Sequence, residues 1–112
     1  MEELDSVFWI RINGVLYGKT IEEIAYFKLM WPWVKMVAVD EEFSFWESLA
    51  QVQKKVEKQS QDFIRVSRRY YINVCYVKDF TSKEIRMMDG TIIPVNRKNM
   101  ENLRKKLHEN NE

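Results

Sequence analysis

Histidine and cysteine each occur once in the 112 residues, at His108 and Cys75. A single cysteine excludes an intrachain disulfide. Together the two counts leave no histidine pair and no Cys/His metal cluster. A Ser–His–Asp triad would depend on a histidine in a polar C-terminal stretch and has no support there. Catalysis would have to rest on carboxylates, lysine or tyrosine, and no spacing of these points to it. The expectation is a non-enzyme without metal, cofactor or small-molecule substrate. No run of about 18 apolar residues occurs, so no membrane helix is expected. The opening MEELDSVFWI is acidic and lacks a positively charged segment, so no secretory signal is expected either. Cys75 lies in an apolar run and reads as a small buried hydrophobe rather than a reactive thiol, which fits a reducing, cytoplasmic location.

What is present suits one compact domain: 46% of the residues are hydrophobic, enough for a modest core. The net charge of +1 averages over two unlike halves. Residues 1–53 hold four Lys/Arg against nine Asp/Glu, or −5, and residues 54–106 hold fourteen against six, or +8. The last six residues add −2. A basic half joined to an acidic one suggests a directed charge face, with nucleic acid as one candidate partner and plain solvated surface as the other reading.

Along the chain, VFWIRIN (7–13) alternates as a strand should, and Asn13-Gly14 predicts a hairpin turn with VLYGK (15–19) returning. Ile21–Leu29 is a second apolar run, ended by Trp31-Pro32-Trp33, where proline predicts a turn. VKMVAVD (34–40) reads as the next strand, with Glu41 and Glu42 at the following reversal. The period then changes. Ser44 and Glu47 have capping-box spacing, and Phe45, Leu49, Val52 and Val56 form one face of an amphipathic helix fading near Lys58–Gln61. Lys54, Lys55 and Lys58 read as its solvated face. Phe63–Val77 and Glu84–Met88 return to β-rich composition. Asp89-Gly90 predicts a second hairpin, and Pro94 marks its return strand as an edge. Met100, Leu103 and Leu107 predict a short C-terminal helix, capped by Asn96 or Asn99. The fold class expected is mainly β, with several small antiparallel sheets, one central amphipathic helix and a short C-terminal helix.

The order of these motifs resembles the LytTR-type DNA-binding domain of bacterial response regulators. Three pieces carry the resemblance: IEEIAYFKL, FIRVSRRYYINVCYV, and GTIIPVNRKNMENLRKKL. They are similar to the family's Ile-x-Tyr-Ile/Phe-Glu strand, its Phe-x-Arg-Val-His-Arg-Ser-Tyr run, and its Gly-x-x-Ile-Pro-Val-Ser-Arg segment leading into a final helix. The likeness spans about Val7 to Leu107, so residues 1–112 read as a single domain with its core at about 7–107. Such domains usually follow a receiver domain, and none is expected in this stretch.

The resemblance implies sequence-specific binding of double-stranded promoter DNA through loops, with a homodimer on DNA as an option. Matched position by position, Ser67 stands where the family usually has a base-contacting histidine, Arg68 follows it, and Arg69 replaces a serine. Asn96-Arg97 stands for the family's Ser-Arg, with Lys98 beside it. Arg68 and Arg97 can bind guanine in a bidentate fashion or hold phosphate. A third family contact region corresponds to Leu29–Val34, which here carries Trp31, Pro32 and Trp33. For the two tryptophans three readings stay open: core, protein contact, or DNA-facing loop. The second of these is the basis of an alternative function, a protein-interaction or dimerisation module that has kept the fold. Arg65 reads either as a DNA contact or as a partner for a carboxylate across the sheet, and Asn73 as a residue that satisfies buried backbone groups in preference to touching DNA.

Overall fold

The structure, a computed structural model, describes residues 6–110. The first hairpin is as expected. β1 (Val7–Ile12) pairs antiparallel with β2 (Val15–Thr20), and Asn13 and Gly14 both take positive φ at the turn, the conformation that Asn-Gly accepts most readily. Trp9 lies across the hairpin from Gly18; a β-carbon at Gly18 would come within 2.7 Å of the indole, so only glycine lets the ring lie flat there. A short 3₁₀ turn (Ile21–Glu23) leads into β3 (Ile24–Met30), which reverses at Trp31-Pro32, a cis bond, into β4 (Trp33–Ala38).

The next segment departs from expectation. Residues 42–45 form a strand, β5 (Glu42–Phe45), and helix α1 starts only at Leu49 and ends at Glu57. The capping box is Ser48 with Gln51, not Ser44 with Glu47. The Gln51 amide donates to Ser48 Oγ at 3.1 Å, and the Ser48 amide donates to Gln51 Oε1 at 3.4 Å. Phe45 mimics the helical period because it enters the same apolar cluster as Leu49, Val52 and Val56, but from a strand. Glu47 instead pairs with Lys55 at 2.8 Å.

Phe63–Val77 divides into β6 (Phe63–Arg65), β7 (Tyr70–Asn73), a 3₁₀ turn (Val74–Tyr76) and the start of β8 (Val77–Phe80). β9 (Glu84–Met87) and β10 (Ile92–Pro94) follow, and Pro94 does sit on an edge strand. The last helix, α2 (Arg97–Asn110), is the longer of the two, 14 residues against 9. Cys75 is exposed, a correction to its reading as buried: the 3₁₀ turn breaks the strand alternation just there and rotates the side chain outward. Asn73 behaves as expected. It is 2% exposed, its Nδ2 donates to the Ile24 carbonyl at 3.0 Å, and its Oδ1 accepts from the Cys75 amide at 2.9 Å.

A five-stranded sheet in the order β5-β4-β3-β7-β6 is the middle layer, and its alternation serves two cores. Phe27, Met36 and Tyr71 face one side, where they meet Phe8 and Ile10 of β1 and Leu49, Val52 and Val56 of α1. Their sequence neighbours Tyr26, Val37 and Ile72 face the other side, against Ile85, Met87 and Ile93 of the three-stranded sheet β10-β9-β8 and Met100 and Leu103 of α2. Lys19 is buried beside the β4–β5 turn, with Asp40 at 2.9 Å and Glu41 at 2.6 Å, and these hydrogen bonds raise its pKa well above the ordinary lysine value.

Candidate nucleic-acid interface

The β6–β7 connection carries two adjacent cations, Arg68 and Arg69, between two strands of the central sheet. Val66 is fully buried in the second core and pins the loop's first residue, while its amide donates to the Tyr70 carbonyl at 3.1 Å. Ser67, Arg68 and Arg69 then turn, with Ser67 Oγ accepting from the Arg69 amide at 3.2 Å. Every carbonyl of these three residues is engaged from outside the turn. Arg65 Nε donates to Ser67 O and Arg65 Nη2 to Arg68 O, both at 2.9 Å, and the Leu29 amide of β3 donates to Arg69 O at 2.7 Å. The loop's negative ends therefore point inward. The guanidinium groups of Arg68 and Arg69 stand exposed, with no carboxylate paired to them among the described residues.

Arg65 is thus not the partner of a cross-strand carboxylate; its guanidinium holds backbone carbonyls of the loop. It is half-buried, its third contact is Gln53 Oε1 at 3.5 Å on α1, and desolvation lowers its pKa from the ordinary arginine value. Period-2 alternation places Arg65 on a sheet face but gives no sign that its side chain folds back onto the next two residues.

The second cationic group forms at the β10–α2 junction. Asn96 caps α2: its Oδ1 accepts from the Asn99 amide at 2.8 Å, which commits that oxygen to the helix. Val95 is buried in the same core as Val66, so the two cationic segments are anchored in one apolar cluster. Arg97 and Lys98 are exposed in the first turn of α2, which contains no acidic residue. Cations at a helix N-terminus cost about 0.3–1 kcal/mol each, and an external anion would offset that cost. Lys83 and Arg104, neither of them a candidate site residue from the sequence, line a groove with Asn96 and Arg97, beside Glu101. The i, i+7 spacing of Arg97 and Arg104 could have revealed their common helix face.

The tryptophans are not core. Trp31 is 83% exposed and Trp33 45% exposed. Trp33 packs edge-on against Trp46, with centroids 4.9 Å apart and planes at 88°. Recognising Trp46 required β5, whose Phe45 pairs with Val34 and so sets the two indoles side by side. Trp31 lines one cleft with Leu29, Met30, Arg68 and Arg69, and Trp46 shares a second cleft with Trp31, Arg65 and Arg68. The structure therefore brings Ser67–Arg69 and the Trp31 turn together and holds Asn96–Lys98 at a separate groove. Lys54 and Lys58 lie on the exposed face of α1, as expected. No cluster of metal-ligating side chains occurs among the described residues.

The family model of the LytTr DNA-binding domain matches residues 16–108. Among solved structures, the LytTr DNA-binding domain of a response regulator from Bacillus cereus superposes with a TM-score of 0.71 at 21% identity, covering 91% of this chain and 96% of that one. No curated relative matches the sequence.

Proposed function

The chain belongs to the LytTr DNA-binding domain family, and from that premise we propose that it binds double-stranded promoter DNA sequence-specifically, as the DNA-reading part of a bacterial transcriptional regulator in the cytoplasm. The observation that carries this reading is the β6–β7 loop. Its three carbonyls turn inward, and two guanidinium groups, unpaired among the described residues, turn outward. A surface that presents donors and cations and withdraws its acceptors suits a polyanion.

Arg68 and Arg97, from separate segments, reach base edges in the major groove, where guanine offers two acceptors to one guanidinium. Ser67 keeps its hydroxyl proton free to donate while its oxygen accepts from the Arg69 amide. Arg69 and Lys98 hold phosphates, and the Nδ2 of Asn96 remains available as a donor. Titration onto promoter DNA at several salt concentrations tests the reading. Affinity falls steeply with salt, and Arg97→Ala weakens binding by about 1–3 kcal/mol. Salt-independent binding, or an Arg97→Ala variant of wild-type affinity, overturns it.

A second reading is favoured by the exposed indoles. Trp31, Trp33 and Trp46 form an apolar surface with the composition of a protein-contact hot spot. It fits a second copy of the chain, whether as a dimer on DNA or as an interaction module in its own right.

A further inference from the structure

We propose that Arg65 is a positioning residue that sets which way Ser67 and Arg68 face, and so determines base discrimination without touching DNA. The inference rests on the DNA-binding reading above and adds a residue that acts on the loop's backbone rather than on DNA. The geometry is specific to a guanidinium. Nε and Nη2 point in two fixed directions and hold the carbonyls of two successive residues, Ser67 and Arg68, at 2.9 Å each. Nη1 reaches Gln53 Oε1 on α1 at 3.5 Å, and Gln53 Nε2 is itself held by Glu57 Oε2 at 2.9 Å. A lysine keeps the charge but supplies a single point donor, which cannot hold both carbonyls in that fork. With the fork lost, the Ser67–Arg68 peptide can rotate. Both side chains then lose their common direction, although Val66 still anchors the loop and Leu29 still holds Arg69.

The test compares Arg65→Lys with Arg68→Ala on one duplex, selected by the wild-type protein from a random 25-base-pair library. Arg65→Lys lowers affinity about tenfold, the loss expected for hydrogen bonds from a charged donor. The slope of log affinity against log salt stays unchanged, because no phosphate contact is removed. Discrimination at the base pair read by Arg68 narrows, as judged against single-base variants of the duplex. Wild-type affinity in Arg65→Lys overturns the proposal. So does an Arg65→Gln variant whose salt slope falls by about 1, since that marks a phosphate contact. If Arg65→Lys does not fold, Gln53→Leu replaces it. The expected result is a smaller affinity loss at unchanged slope, and no loss overturns the proposal. Arg68→Ala separates the two levels: if it weakens binding while Arg65→Lys does not, only the positioning role fails. If neither variant matters, the roles of both Arg65 and Arg68 fail; if the wild-type protein selects no duplex, the DNA reading fails with them.

Discussion

Tyr71 is 1% exposed and lies between Phe63 and Phe27, with ring centroids 5.4 Å and 6.1 Å away. Its hydroxyl has no hydrogen-bond partner among the described residues, and burial, aided by the charge of Glu57, raises its pKa far above the ordinary tyrosine value. An unpaired buried hydroxyl costs about 1–3 kcal/mol. Tyr71→Phe keeps the ring and removes the polar atom, so the melting temperature should rise by about 4 °C. A fall on thermal unfolding would show that the hydroxyl is satisfied. At this scale the sequence is legible where a residue's chemistry has one outlet. Asn73, flanked by apolar residues, had buried backbone to satisfy and does so at both ends. Cys75 was misread, and the backbone contacts of Arg65 were missed, because they depend on a local 3₁₀ turn and on a side chain folding back, neither of which leaves a periodic trace.

Elements with turn chemistry or a sustained period were readable, and a short strand with neither was not. Asn13-Gly14 and Asp89-Gly90 marked both hairpins, whereas β5, four residues between two acidic turns and a helix, had no such punctuation and merged with α1. The Asp89 turn also ties two elements together. Tyr26 of the central sheet donates from its hydroxyl to Asp89 Oδ2 at 2.9 Å and contacts Thr91 Oγ at 3.0 Å. Burial pushes the Tyr26 pKa up to about 12. For Asp89, partial burial acts to raise the pKa, but hydrogen bonds from the Thr91 amide and hydroxyl and from Tyr26 outweigh it, and the net shift is downward. A carboxylate depressed in the fold contributes stability above its unfolded value of about 3.9. That contribution disappears as pH falls through the folded value. The melting temperature should therefore decline between about pH 5 and 3, and Asp89→Asn should flatten part of that decline. The remainder belongs to Asp40 and Asp79, which Lys19 and Arg86 also depress. An undiminished slope in Asp89→Asn would remove the carboxylate from this role.

For the molecule as a whole, one sheet shared by two cores explains why its central strands read as apolar runs rather than as alternation: Tyr26 and Phe27, or Tyr71 and Ile72, are apolar neighbours because both faces are covered. The charge asymmetry was likewise visible, but its grouping into a loop and a helix start depended on tertiary packing around Val66 and Val95. The exposed indoles predict behaviour at this scale. If their surface meets a second copy, sedimentation should show mass rising with concentration in the wild-type chain, and Trp31→Ala, at an 83% exposed position, should abolish the rise without loss of fold. A wild-type chain monomeric at all concentrations, with and without DNA, would set self-association aside.

The inward-facing carbonyls of Ser67, Arg68 and Arg69 also bear on how such a domain changes over time. The loop's course is held by Arg65, Leu29 and Val66, all outside it. The side chains at 68 and 69 are therefore free of any duty to the backbone. On the DNA reading proposed above, substitutions at 68 change what the loop offers a base and those at 69 what it offers a phosphate, with folding untouched, so a lineage can acquire a new target without passing through an unstable ancestor.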